Sequence, residues 1–305
     1  MTNSQVKPPT LSIVVVFHNM VREADRTLLS LGASYQSGIS ATNYEIIAID
    51  NGSNQPLSPE RVSELGHNIR YHFLDTKSVS PAGAVNLGVE MARGEFVGVI
   101  VDGARMVTPG LVGATLAALQ ALKNPFVCTL AWHLEPDVQN KSISQGYIQI
   151  AEDALLASID WPANGYGLFD ISTLAQSSNV GLLGGMPAEC SWFAMPRARF
   201  LNMGGFDLRF KTSGGGLMNQ DFLNRVAAEP TTNFAVLLDE GSFHQIHGGV
   251  ATNCPAAEHP MQSFQGEYQS IHGEKYTRPR YAAPYYFGSI SARTANFITD
   301  FKADQ

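Results

Sequence analysis

The sequence predicts an α/β fold: a mostly parallel sheet with helices on both faces. Three observations carry this. Short β-branched runs recur through the first half, helical stretches separate them, and a hydroxyl residue followed by proline precedes two of those helices.

Residues 11–17 (LSIVVVF) form a nearly continuous apolar run, as a strand buried on both faces requires. Residues 21 to about 33 read as a helix, 44–49 (YEIIAI) as a second strand and 69–74 as a third. Ser80-Pro81 opens the next helix, and Gly94 closes it. Residues 95–101 (EFVGVIV) are a fourth strand; Thr108-Pro109 then opens a helix reaching about Lys123, and 126–132 are a fifth strand.

After His133 the rhythm breaks into aromatic, glycine and serine punctuation, with a helix near 148–157. A strand at 190–194, helices near 197–202 and 219–228, and a strand near 234–238 follow. From Gly241 the chain reads as loop, ending in a Pro- and Tyr-rich tail with Lys275, Arg278, Arg280, Arg293 and Lys302. This suits one domain, with a tail over 1–10, halves over 11–133 and 134–250, and a C-terminal extension over 251–305.

The chain has 305 residues, 20 Lys and Arg against 27 Asp and Glu, and a net charge of −7. Charged residues are only 15% of it, against roughly 25% in an average soluble protein. No basic excess exists to release counterions from a nucleic acid, so that partner is excluded. Cys128, Cys190 and Cys254 are an odd, widely spaced set without a CxxC pair. A reduced, cytoplasmic setting is expected. The opening MTNSQVKPPT lacks the apolar stretch of a signal peptide, and the most apolar region, 111–132, is interrupted by Gln120, Lys123, Asn124 and Pro125. No spanning helix is expected; peripheral membrane contact stays open.

In open parallel sheets, ligands bind beyond the carboxyl ends of the strands. Strand one ends in Phe17-His18-Asn19, strand two in Asp50-Asn51-Gly52-Ser53, and strand four in Asp102-Gly103-Ala104-Arg105. Singly these are turn sequences; together they line one rim. No G-x-G-x-x-G and no G-x-x-x-x-G-K-[ST] occurs, which disfavours dinucleotide and P-loop phosphate binding. The glycine-rich run at 181–185 follows no clear strand and reads as a flexible or close-packing loop.

SIVVVFHN (12–19), YEIIAIDNGS (44–53) and SPAGAVNLGVEMARGEFVGVIVDGA (80–104) resemble, in order and spacing, the nucleotide-binding half of family 2 glycosyltransferases. FLNMGGFDLRF (200–210) followed by NQDFLNRV (219–226) is similar to the family's G-G-F-D … E-D acceptor pattern, with Gln220 in the Glu position. FHN also resembles the polypeptide sugar transferases of that superfamily. The resemblance implies a GT-A fold, with 11–133 as the nucleotide-sugar half and 134–250 as the acceptor half. It implies transfer of a sugar from a nucleotide-diphosphate donor to a saccharide or other hydroxyl acceptor, with inversion. By the same resemblance Asp50, Phe17, His18 and Asn19 bind the nucleoside, Asn86 and Gly103 lie near the donor, Asp102 meets metal and diphosphate, and Asp221 is the catalytic base. A carboxylate in that role takes the acceptor proton as the hydroxyl attacks. Surface-polysaccharide synthesis is the role the family suggests.

Two positions depart from the family pattern. The metal motif commonly has a second acid two residues after the first, and here Ala104 stands there. His244 and His247 in FHQIHGG, taken alone, read equally as hydrogen-bonders or as ligands. Within the resemblance one of them is the missing ligand, His247 ahead of His244, for Mn2+ in preference to Mg2+. Val85 stands where many relatives carry an arginine, and Arg105, or Arg278 and Arg280, would replace that phosphate contact. Trp192 reads as core or as a platform under a sugar face. Gly214 to Gly216 read as an acceptor-side loop or a turn, and the Tyr-rich stretch as a cover or a packed tail. Two other readings remain: a degenerate, non-catalytic saccharide- or partner-binding protein, and a sugar nucleotidyltransferase. The second would need a glycine-rich basic loop after strand one, which FHNMVREAD does not supply.

Overall fold

The computed structural model describes residues 8–180, 186–292, 294, 295 and 297. The glycine run at 181–185, with Arg293 and Lys302, therefore lies outside the described residues. Strands Leu11–Phe17 (β1), Tyr44–Asn51 (β2), Ile69–Leu74 (β3) and Phe96–Ile100 (β4) alternate with helices Val21–Leu31 (α1), Pro59–Leu65 (α2) and Ala82–Met91 (α3). Arg105–Val107 (β5), Leu111–Ala121 (α4) and Pro125–His133 (β6) come next. Gln139–Ser144 (α5), Gln149–Ala157 (α6), Thr173–Leu174 (β7) and Gln176–Asn179 (α7) lead into Phe193–Pro196 (β8) and Arg197–Asn202 (α8). Met218–Ala227 (α9), Asn233–His244 (β9), Met261–His272 (α10) and Tyr285–Phe287 (β10) follow.

The described strands join in one sheet ordered β10-β9-β6-β8-β4-β1-β2-β3, with β5 on β9 and β7 on β6. β1 pairs in parallel with β2 and β4, as β2 does with β3 and β6 with β9. The sheet is nevertheless mixed, because β8 runs antiparallel to both β4 and β6. A strand from the second half is thus wedged between two from the first.

The continuous apolar runs follow from burial on both faces. Val14 and Val16 of β1 join one core with α3, α8, α9 and α10, while Leu11, Ile13, Val15 and Phe17 join another with α1, α2 and α4. Val85 is wholly buried in the first core, so its helix face meets the sheet. A Cβ on Gly88 would come within 2.4 Å of Val14, and its absence lets α3 lie directly on β1.

Some boundaries differ from expectation for identifiable reasons. The Thr108 hydroxyl donates to the Glu240 carboxylate and caps no helix, so α4 begins at Leu111. β9 continues through Glu240 and Gly241 to His244, its register against β6 shifting between Thr129 and Leu130. Residues 261–272, expected as loop, form α10, whose Phe264 and Tyr268 enter the core. The Tyr-rich tail forms an edge strand beside β9, with Tyr281 edge-on to Phe234 at 5.3 Å. It packs as an ordered tail.

Candidate active site

A cavity of about 730 Å³ opens beyond the carboxyl ends of β1, β2 and β4. Its wall combines the first strand ends with residues 213–220, 247–252 and the loop after α10.

Asp102 is the centre of the charged cluster. Its Oδ1 accepts from the Ala104 amide at 3.1 Å, which turns Oδ2 toward two imidazoles. His244 Nε2 lies 2.7 Å and His247 Nε2 3.3 Å from that oxygen, and the two nitrogens are 3.1 Å apart. The pairing of β5 with β9, which sets Arg105 opposite His244, brings these distant residues together. Ala104 is wholly buried, its carbonyl accepting from the Gln245 backbone amide at 2.8 Å, and the two histidines stand beside Asp102 where Ala104 brings no second acid.

The tautomer is informative. His244 Nδ1 donates to Gln139 Oε1 at 2.7 Å, leaving a lone pair on Nε2. That lone pair meets a carboxylate oxygen and a second imidazole nitrogen, so either a proton on His247 Nε2 or a cation lies among them. One carboxylate and two imidazoles within 4.8 Å of one another fit a divalent transition metal, with Gln139 orienting the ligand from behind. Burial pushes His244 down to about 4, against the pull of Asp102. Burial also works to lower His247, but Asp102 outweighs it and raises that imidazole. For Asp102 burial would raise the carboxyl; His247 and His244 overcome it and hold the group well below the ordinary range.

Gly103 is required by close approach. Its amide donates to the Val16 carbonyl at 2.8 Å, and a Cβ would lie 2.3 Å from the Phe17 ring. Arg105 is 8% exposed, lines the cavity, and its Nη1 has no hydrogen-bond partner among the described residues. It is a buried positive charge in the wall that Asp102 also lines, without an ion pair among the described residues.

The strand ends behave differently from one another. His18 Nδ1 donates to the Asn51 carbonyl at 2.9 Å, and Asn19, at φ 55°, accepts from the Asn54 amide at 2.8 Å. His18, Asn19 and Asn51 line the cavity with the edge of Phe17. Asp50 does not: its Oδ1 accepts from the Ser53 amide and its Oδ2 from the Leu57 amide, both at 3.0 Å. It ties down the loop after β2. Asn86 is likewise engaged, exchanging bonds of 2.8 and 2.9 Å with the Phe206 backbone. It clamps α3 to the loop after α8.

Three further candidate residues lie outside the cavity wall. Asp221 is buried and does not line the cavity; Arg225 Nε donates to its Oδ2 at 3.1 Å, and His272 Nε2 lies 3.0 Å from its Oδ1. Trp192 is a core residue, wholly buried, its indole donating to Thr115 at 3.2 Å. Arg280 is exposed and away from the cavity, whereas Arg278 lines it, donating to the Met186 carbonyl and lying 5.7 Å over the Tyr281 ring. Sequence reasoning did not single out Glu189, Asn219 or Gln139. Asn219 opens the NQDFLNRV segment but precedes its acid position, and no local pattern marks Glu189 or Gln139.

Residues 12–145 match the family model Glycosyl transferase family 2. Over that stretch the chain is similar to family 2 glycosyltransferases. Among solved structures, S. aureus TarS 1–349 aligns with a TM-score of 0.52 at 14% identity, over 77% of this chain and 60% of that one. The same TarS fragment in complex with UDP aligns with a TM-score of 0.52 at 15% identity, over 78% and 61%. Its complex with UDP-GlcNAc gives 0.52 at 16%, over 78% and 59%. The likeness is one of fold, and this transferase fold is of GT-A type. The chain spans about three fifths of the length of that fragment. No curated protein sequence is significantly similar to it.

Proposed function

We propose that the chain transfers a sugar from a nucleoside-diphosphate donor to an acceptor hydroxyl, in one displacement with inversion at the anomeric carbon. The observation that carries this is the convergence of Asp102, His244 and His247 beside Arg105, at the cavity of a chain similar to family 2 glycosyltransferases. UDP and UDP-GlcNAc, solved bound to S. aureus TarS, make a uridine donor the first to test.

On this reading His18, Asn19 and Asn51 face the nucleoside, and the diphosphate lies between Arg105 and Asp102. Asp102, His244 and His247 would hold a divalent cation, manganese before magnesium because two ligands are imidazoles. Such a cation, when bound, neutralises charge gathering on the departing diphosphate. The Arg105 guanidinium adds fixed positive charge at the same end, in a wall that excludes water. The acceptor, a saccharide or another hydroxyl compound, would enter along Gly214, Leu217 and Val250.

A cytoplasmic role in polysaccharide or glycoconjugate synthesis accords with the free thiols Cys128, Cys190 and Cys254. Among the described residues no helix is long and apolar enough to cross a membrane. The test is calorimetric titration of the chain with UDP, GDP and TDP in the presence of Mn2+, followed by donor turnover. Binding of one diphosphate that weakens without Mn2+ is expected; absence of binding by all three overturns the proposal.

A further inference from the structure

Displacement at an anomeric carbon needs a group to take the acceptor proton, and the acid expected for that work is committed elsewhere. Asp221 faces Arg225 and His272 from within the protein. The residues that the same helix turns toward the cavity are Met218, Asn219 and Gln220, a thioether and two amides that cannot accept a proton at neutral pH. Among the described lining residues only Asp102 and Glu189 are carboxylates, and Asp102 is held by two histidines.

We propose that Glu189 is the general base of the transfer, an assignment that rests on the glycosyltransferase reading above. Its position is fixed from both sides. The Glu189 amide donates to the Ser178 carbonyl at 3.1 Å, and the Ser178 hydroxyl donates to Glu189 Oε2 at 3.2 Å. The next residue is tied to α9, since Asn219 Nδ2 donates to the Cys190 carbonyl at 2.9 Å. Ser191 lies 2.8 Å, hydroxyl to hydroxyl, from Ser242, two residues before the ligand His244 on β9. The segment carrying Glu189 therefore crosses beside the strand that carries His244, and Glu189 lines the same cavity as Asp102 and His247. A partly exposed carboxylate with Oε2 anchored keeps Oε1 for a hydroxyl brought within about 3 Å, the reach a base needs.

The remaining basic lining residues are otherwise disposed. His18 binds the Asn51 carbonyl, His247 belongs to the cluster, and the His259 ring stands edge-on to Phe264 at 6.0 Å. In the step, the acceptor O–H gives its proton to Glu189 as its oxygen bonds the anomeric carbon. The bond from that carbon to the donor phosphate oxygen breaks, and the diphosphate leaves with the electron pair.

The experiment measures turnover of UDP-GlcNAc and a panel of other nucleotide sugars with Mn2+, for the wild type, E189Q and E189D. UDP affinity is measured alongside by calorimetry. The expected result is a kcat loss of roughly 10²- to 10⁴-fold in E189Q at unchanged UDP affinity, with E189D intermediate. An E189Q protein that binds UDP and turns over donor at the wild-type rate overturns the base. A wild type that turns over no donor overturns the transferase reading itself, and the base with it.

Discussion

Asp221 and Arg225 are joined across one helical turn by a bond of 3.1 Å from Nε to Oδ2, with Asp221 buried and neither residue in the cavity wall. Arg225 also donates to the Met203 and Gly205 carbonyls at 2.9 and 2.7 Å, so the pair fastens α9 to the loop after α8. Asp221→Asn should accordingly cost about 1–3 kcal/mol in urea unfolding, the range for a hydrogen-bonded charged group. UDP affinity of the folded protein should stay unchanged. Loss of turnover at wild-type stability would return Asp221 to the reaction.

Gln139 acts on the cation cluster through His244 alone. Gln139→Ala should weaken Mn2+ binding by roughly 10- to 100-fold, as removal of a partner behind a ligand does elsewhere. Calorimetry with MnCl2 reads this directly. His247→Ala should lower the affinity further, since it deletes a ligand outright.

Arg105 is buried without an ion pair among the described residues, an arrangement that costs stability until an anion arrives. Arg105→Met should raise the melting temperature while weakening UDP binding by about 1.5–3 kcal/mol, the worth of a charged hydrogen bond. A variant that lost stability and kept UDP affinity would show the guanidinium to be structural.

Burial pushes the Glu135 carboxyl up to about 8 from its ordinary 4.5; nearby Ser142 opposes the shift, while Glu152 and Asp137 add to it. The native protein then holds a proton that the unfolded chain gives up across that interval. Stability should fall as pH rises between those values and level off above. Glu135→Gln should flatten the slope, gaining on the order of a few kcal/mol at pH 8 in denaturant titrations.

Gly103→Ala would set a methyl group 2.3 Å from the Phe17 ring at the inner wall of the site. The expected cost is about 1–3 kcal/mol by thermal unfolding, the usual range for overpacking. UDP binding should weaken as well, because Asp102 shares that turn.

The parallel half was legible because burial on both faces writes itself as unbroken runs such as 11–17, which no amphipathic helix produces. Strand direction leaves no such mark, so the antiparallel insertion of β8 was not foreseen. β9 was cut short because Asp239, Glu240 and Gly241 interrupt its apolar pattern, although Glu240 is satisfied by Thr108 and Tyr166. Asp102, His244 and His247 could be named one by one, but their convergence depends on β5, a three-residue strand too short for periodicity to reveal. Asp50, Asn86 and Asp221 are candidates that the structure places outside the cavity wall. Their residue types suit a ligand, yet internal bonds occupy them, and only geometry distinguishes the two.

The wedging of β8 between β4 and β6 has a consequence for biosynthesis. A nascent chain that has emerged only to residue 145, where the family match ends, has made β6 but none of its described partner strands, all of which lie beyond residue 172. Nine buried-type residues then wait without a neighbour, and the outer edge of β4 stays open to other chains. β8 can bridge β4 and β6 only after roughly fifty further residues have been translated, at a few seconds' delay, and β9 needs about fifty more. Truncations at the apparent end of the domain should therefore aggregate, and any fragment meant to fold must extend through β9.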